Sequence, residues 1–144
     1  MRFRFRLERV LDFLRLNETV KKMEVASLVQ RLELLEKEKV HREETIRSVL
    51  SQSKERWLEN SDWIPYQTSK VAADARDILR IEKKVIEAKE ELEAKKFELG
   101  RLAMKRKAME NLKDKRKAIF RVEETRREQK TNDELYRLVK KPGT

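Results

Sequence analysis

Cationic side chains are the groups through which this sequence could do chemistry, and the chemistry they offer is recognition of negative charge. Twelve of them lie between residues 101 and 130: Arg101, Lys105, Arg106, Lys107, Lys113, Lys115, Arg116, Lys117, Arg121, Arg126, Arg127 and Lys130. Against them stand Glu110, Asp114, Glu123, Glu124 and Glu128, which leaves this block at +7. Residues 1–9 add Arg2, Arg4, Arg6 and Arg9 against Glu8, a net of +3. The two blocks together account for the whole formal charge of +10, and the other residues cancel. Such a concentration suits an acidic protein ring, a nucleic acid or a membrane surface, although most charge runs are solvated helix faces.

Other chemistry has little to draw on. Cysteine is absent, which excludes disulfides and thiolate metal sites. The single histidine, His41, reads as a solvent-facing helix residue. There is no glycine-rich loop to cradle phosphates. We therefore expect no catalytic residues, no metal, no cofactor and no small-molecule substrate. The N-terminal arginines are not followed by the apolar run of a secretory signal. No stretch approaches the ~18 apolar residues that cross a bilayer, so the default compartment is the cytoplasm.

The elements that must position these residues are long helices. Between Met1 and Lys141 the only proline is Pro65 and the only glycine is Gly100. The flanking sequence is built largely from strong helix formers. With 38% hydrophobic and 44% charged residues the chain suits a narrow seam between helices and not a layered core. Disorder, the competing reading of so charged a chain, is opposed by the helical spacing of its apolar residues.

In the first half, alternating steps of three and four run through Leu7, Leu11, Leu14, Glu18, Lys21, Val25, Leu28, Leu32, Leu35, Lys39, Arg42, Ile46 and Val49. In the second, they run through Ile78, Ile81, Val85, Ala88, Leu92, Lys95, Leu99, Leu102, Arg106 and Met109. This is the spacing of a coiled-coil seam with polar interruptions. Beyond Met109 the apolar residues are Leu112, Ile119 and Val122, which predicts a slip of phase and local unwinding. The fold expected is all-α, a long antiparallel two-helix coiled coil in one domain. Helix one would cover about 3–59, the turn about 60–65 and helix two about 66–138, with a short tail at 139–144. A parallel homodimer of a bent chain is the runner-up; short connections favour antiparallel neighbours.

At ~1.5 Å per residue, segments of about 57 and 73 residues make rods of roughly 85 and 110 Å. The second helix would then overhang the first. Folding back at 60–65 puts residue 3 near residue 122 and unites the two basic blocks. Asp62 can cap the second helix, with Pro65 in its first turn. Trp57, Trp63, Ile64 and Tyr66 would pack over the hairpin end. Gly100 either admits a close approach of the other helix or marks a mild bend. The opening Arg2-Phe3-Arg4-Phe5-Arg6-Leu7 alternates with period two, yet Phe3, Leu7, Val10 and Leu14 also fit a helix. On a helix Phe3 and Phe5 would point to different faces, leaving one of them as a candidate contact residue.

Phe3-x-Phe5-x-Leu7-Glu8-x-Val10-Leu11 resembles the opening of the FliJ family of flagellar type III export proteins. Arg106-Lys107-Ala108-Met109-Glu110-Asn111-Leu112-Lys113 is similar to that family's basic segment. Gln129-Lys130-Thr131-Asn132-Asp133-Glu134-Leu135 looks like its C-terminal pattern, and Trp63-Ile64-x-Tyr66-Gln67 resembles the hairpin region of some members. The resemblance implies a non-enzymatic, cytoplasmic export component, peripherally associated with the inner membrane at the flagellar base. It further implies a stalk that docks into the hexameric export ATPase and contacts the cytoplasmic domain of the membrane export gate and export chaperones. The ATPase-side residues it implies are Phe3, Phe5, Leu7, Leu11, Arg106, Lys107, Leu112, Lys113, Asp133 and Glu134. Arg2, Arg4, Arg6, Arg9, Lys115, Arg116, Lys117, Arg121, Arg126 and Arg127 form the basic docking end. A nucleic-acid-binding or purely structural coiled coil is the rival. Against it, the main basic block follows the seam instead of preceding it, and is interleaved with acids.

Overall fold

The computed structural model describes residues 2–56 and 63–140, the side chains of residues 53–56 and of Trp63 excepted. Trp57 and the first half of the expected turn, Asp62 included, lie outside the described residues. Two helices carry nearly all of the rest, α1 (Glu8–Arg56) and α2 (Trp63–Lys140). Among the described residues there is no strand. α2 starts at Trp63, which places Pro65 in its first turn. The amide that proline lacks has no intrahelical acceptor there, so the helix loses nothing by it.

α1 begins at Glu8, later than helical spacing from Phe3 suggests. Residues 2–5 are non-helical, Arg6 and Leu7 form a turn, and the Glu8 amide donates to the Phe5 carbonyl at 3.1 Å. The period-two pattern prevails here for a packing reason. Phe3, Phe5 and Leu7 are covered while Arg2, Arg4 and Arg6 are exposed, so every second residue turns inward. A helix would have pointed the two rings to different faces.

The chain packs as two units. Unit 2 comprises Val20–Leu99. In it Leu28 and Leu32 of α1 pack with Ala88 and Leu92 of α2, flanked by Val25 and Val85. All the seam positions expected from Lys21 to Val49 and from Ile78 to Leu99 are buried or half-buried. The polar interruptions are cross-helix ion pairs. Lys21 meets Glu98 across the seam at 2.8 Å and Glu24 on its own helix at 3.2 Å, and Lys95 reaches across to Glu24 at 3.3 Å. Lys39 pairs with Glu82 at 3.2 Å; Arg42 pairs with Asp77 at 2.8 Å and with the buried Asp74 at 3.4 Å. The partners run up α1 as they run down α2, so the helices are antiparallel.

Unit 1 comprises Met1–Thr19 and Gly100–Thr144. Its pairs have the same sense: Phe3 with Phe120, Glu8 with Lys113, Glu18 with Arg106. The chain is thus an all-α helical hairpin. At Gly100 an added Cβ would meet no atom within 4 Å, so close approach of the other helix is not what this glycine serves.

Candidate partner-docking end

Unit 1 holds every residue of the two basic blocks and every residue of the terminal motifs. The charge divides along the same line. Unit 1 has twenty basic and ten acidic residues, a net of +10, whereas unit 2 has seventeen of each and is neutral.

The end is built around the non-helical entry. Phe5 is only 8% exposed, and the Arg116 guanidinium lies 5.8 Å above its ring. Phe3 packs its ring 5.6 Å from that of Phe120. Neither phenylalanine is therefore the uncovered contact residue that a helical start would have produced. Leu11, at 0% exposure, is sealed in the seam. Leu7 and Leu112 are half-buried beside it.

Arg106, Lys113 and Arg116 of the candidate set are engaged within the unit. Lys113 donates to Glu8 at 3.0 Å. Arg106 donates through Nε to Glu18, itself only 6% exposed, and through Nη1 to Glu110 at 2.9 Å. The Glu18 carboxylate first, then Glu110, raises the Arg106 guanidinium above its ordinary value. Arg15 adds a bond to Glu110 at 3.3 Å. Arg116 is committed to Phe5. Arg2, Arg4, Arg6, Arg9, Lys107, Lys115, Lys117, Arg121, Arg126 and Arg127 are exposed. Asp133 and Glu134 lie on the last part of α2, where every residue from Thr125 to Lys140 is exposed.

The expected slip of phase does not occur. Phe120 and Lys113 keep the original spacing and are half-buried, while Ile119 and Val122 are 59% and 52% exposed. The ring of Phe3 and the carboxylate of Glu8 fix this register, because each has its partner only in the unslipped phase. Glu8, Arg15, Glu18, Glu110 and Phe120 escaped the sequence reading as members of the end. A signal for them exists: a hairpin folding near residue 61 pairs positions whose numbers sum to about 120–125.

Among the described residues no helix is long and apolar enough to cross a membrane, and no cluster of metal-ligating side chains occurs. What remains is a surface: exposed cations on a helical end whose fold is held by its own aromatic and ionic contacts. Such a chain falls in the class of long antiparallel helical hairpins. The FliJ family, described as flagellar FliJ protein, matches residues 3–139, and the chain belongs to it. It is accordingly a component of the flagellar protein export apparatus, in a family of non-catalytic export proteins. No curated protein and no solved structure matches the chain.

Proposed function

We propose that the chain docks through unit 1 into the hexameric flagellar export ATPase, in the manner of a rotary-ATPase stalk. It links that ring to the cytoplasmic domain of the membrane export gate and to export chaperones. It works in the cytoplasm and reaches the inner membrane only through these partners. The observation that carries this reading is the confinement of the whole net charge of +10 to unit 1. A cationic helical end is attracted into a ring lumen lined by acidic or polar loops, and long-range charge speeds such an encounter.

Roles divide by exposure, except that Arg116, itself exposed, is grouped by its contact with the Phe5 ring. The outward arginines of residues 2–9, with Lys107, Lys115, Lys117, Arg121, Arg126 and Arg127, meet the ring, and Asp133 and Glu134 extend the contact along α2. Phe3, Phe5, Leu7, Leu11 and Leu112, with Arg106, Lys113 and Arg116, keep the end in shape. The chain supplies no hydrolytic group; it coordinates the ring that hydrolyses.

A pull-down of the export ATPase by the full chain and by a form lacking residues 1–8 tests the reading. The full chain is expected to retain the ATPase and the shortened form to lose most of it. Equal retention by both would remove the terminal docking role.

A further inference from the structure

In unit 2 no g position beside the seam is apolar, although Val29, Leu34, Leu79, Ile86 and Phe97 are exposed at other positions of the helices. In unit 1 the g positions and their c neighbours carry apolar residues, in addition to Leu16 and Met104 on the outer face. Writing the seam of α1 as heptad positions a (Leu11, Glu18) and d (Leu14), and that of α2 as a (Arg106, Lys113, Phe120) and d (Leu102, Met109), assigns every other residue to a flank. The Arg15–Glu110 bond joins the two e positions, so e meets e on one side of the seam and g meets g on the other. On the g side lie Val10, Leu112 and Ile119, with Phe13 and Val122 at the adjoining c positions. Val10 and Phe13 are 42% and 61% exposed.

The two flanks differ in charge as well. From Glu8 to Thr19 and from Arg101 to Gln129, the e and b positions hold six carboxylates: Glu8, Asp12, Glu110, Asp114, Glu124 and Glu128. The g and c positions over the same spans hold none, but do hold Arg101, Lys105, Lys115 and Arg126. A seam of a and d alone is complete in a two-stranded coil, whereas a and d widened by g on both helices is the pattern of a bundle with a further helix to cover it. In unit 2 the g positions of both helices, such as Glu24, Arg31, Glu38, Lys84, Glu91 and Glu98, are polar throughout.

We propose that this flank of unit 1, centred on Val10, Phe13, Ile119 and Val122 and bordered by Lys105, Lys115 and Arg126, is the seat of an acidic amphipathic helix of a partner protein. It rests on the reading of unit 1 as the docking end and gives one side of that end a helix to hold, beside the ionic contacts of the other side. A helix is the occupant because the apolar positions follow the seam on both helices. Acidity follows from g and c positions that carry four cations and no carboxylate, and the four outnumber Glu123 at the neighbouring d position. Nucleic acid would satisfy the cations but leave the four apolar side chains in water.

The test uses the full chain and a labelled four-heptad peptide with leucine on one face and glutamate on the others, followed by fluorescence anisotropy. Two flank variants are compared with wild type: Phe13→Ser/Ile119→Ser/Val122→Ser, which leaves the charge unchanged, and Lys105→Glu/Lys115→Glu/Arg126→Glu. The controls make equal changes in unit 2: Leu79→Ser/Ile86→Ser/Phe97→Ser and Lys83→Glu/Lys84→Glu/Lys89→Glu. Helical circular dichroism verifies that each variant folds; the replaced residues are exposed. Both flank variants are expected to weaken binding by about tenfold or more, and both controls by less than about threefold. Flank variants within threefold of wild type, or controls that lose as much as they do, would overturn the assignment. A loss confined to the charge variant would also overturn it, since a purely ionic contact needs no helix seat; duplex DNA bound with that same pattern would identify the competitor. Failure of the ATPase pull-down with the peptide results intact would instead sink the docking partner and leave the flank.

Discussion

Leu11 and the Glu18–Arg106 pair mark which residues of the end serve its shape. Leu11 is fully buried, so Leu11→Ala is expected to lower stability by about 2–5 kcal/mol through lost burial and the cavity left behind. Thermal unfolding followed by circular dichroism reads this directly, and an unchanged midpoint would mean the side chain is not in the seam. Glu18 is buried against Arg106, which Glu110 also holds. Glu18→Ala leaves that guanidinium with one carboxylate and a gap in the seam, so the midpoint falls. The exchange Glu18→Arg with Arg106→Glu restores part of the loss if the pair acts through its mutual bond. A double variant no better than the worse single one would show that packing alone is at stake.

At the scale of the helices, the seam of unit 2 depends on pH through its ion-pair cluster. Hydrogen bonds from Lys21 hold the Glu24 and Glu98 carboxyls below their ordinary value of 4.5; Lys95 also contributes at Glu24. The bonds that Lys21 donates to Glu98 and then to Glu24 raise its ammonium above 10.5. The carboxylate contribution is therefore present above pH 4.5 and lost as the pH falls through the lowered folded values. The lysine contribution is fully present below pH 10.5 and is lost as the pH rises from there through the raised folded value. Lys21→Met is expected to flatten the acid limb of a plot of unfolding midpoint against pH and leave the neutral plateau flat; an acid limb identical to wild type would rule the cluster out as its source. Gly100 sits inside α2 with open space where a methyl would go. Gly100→Ala should raise stability by roughly 0.5–1 kcal/mol in urea unfolding, and a loss would contradict an unstrained helix there.

For the molecule as a whole, the hairpin was legible because the seam repeats in steps of three and four over both halves. Its polar positions looked like defects, yet Glu18, Lys21, Lys39, Arg42, Lys95 and Arg106 all form ion pairs. Two features were not legible. Ile119 and Val122 suggested a shifted seam because spacing cannot tell a seam from an apolar flank beside it; only the partners Phe3 and Glu8 decide that. Phe3 and Phe5 fitted two periods, and the choice fell to packing against Phe120 and Arg116. Joining the two basic blocks, by contrast, needed only the position of the break. The proposed role rests on unit 1, the charged end, being the part that would meet the export ATPase. The most direct measurement is a titration of that ATPase with wild type, with Lys117→Glu/Arg121→Glu/Arg126→Glu in unit 1, and with Lys83→Glu/Lys84→Glu/Lys89→Glu in unit 2. The unit 1 variant is predicted to bind at least about tenfold more weakly, and the unit 2 variant, with the same net charge, close to wild type. Equal weakening by both would show that bulk charge, and not the docking end, governs the association.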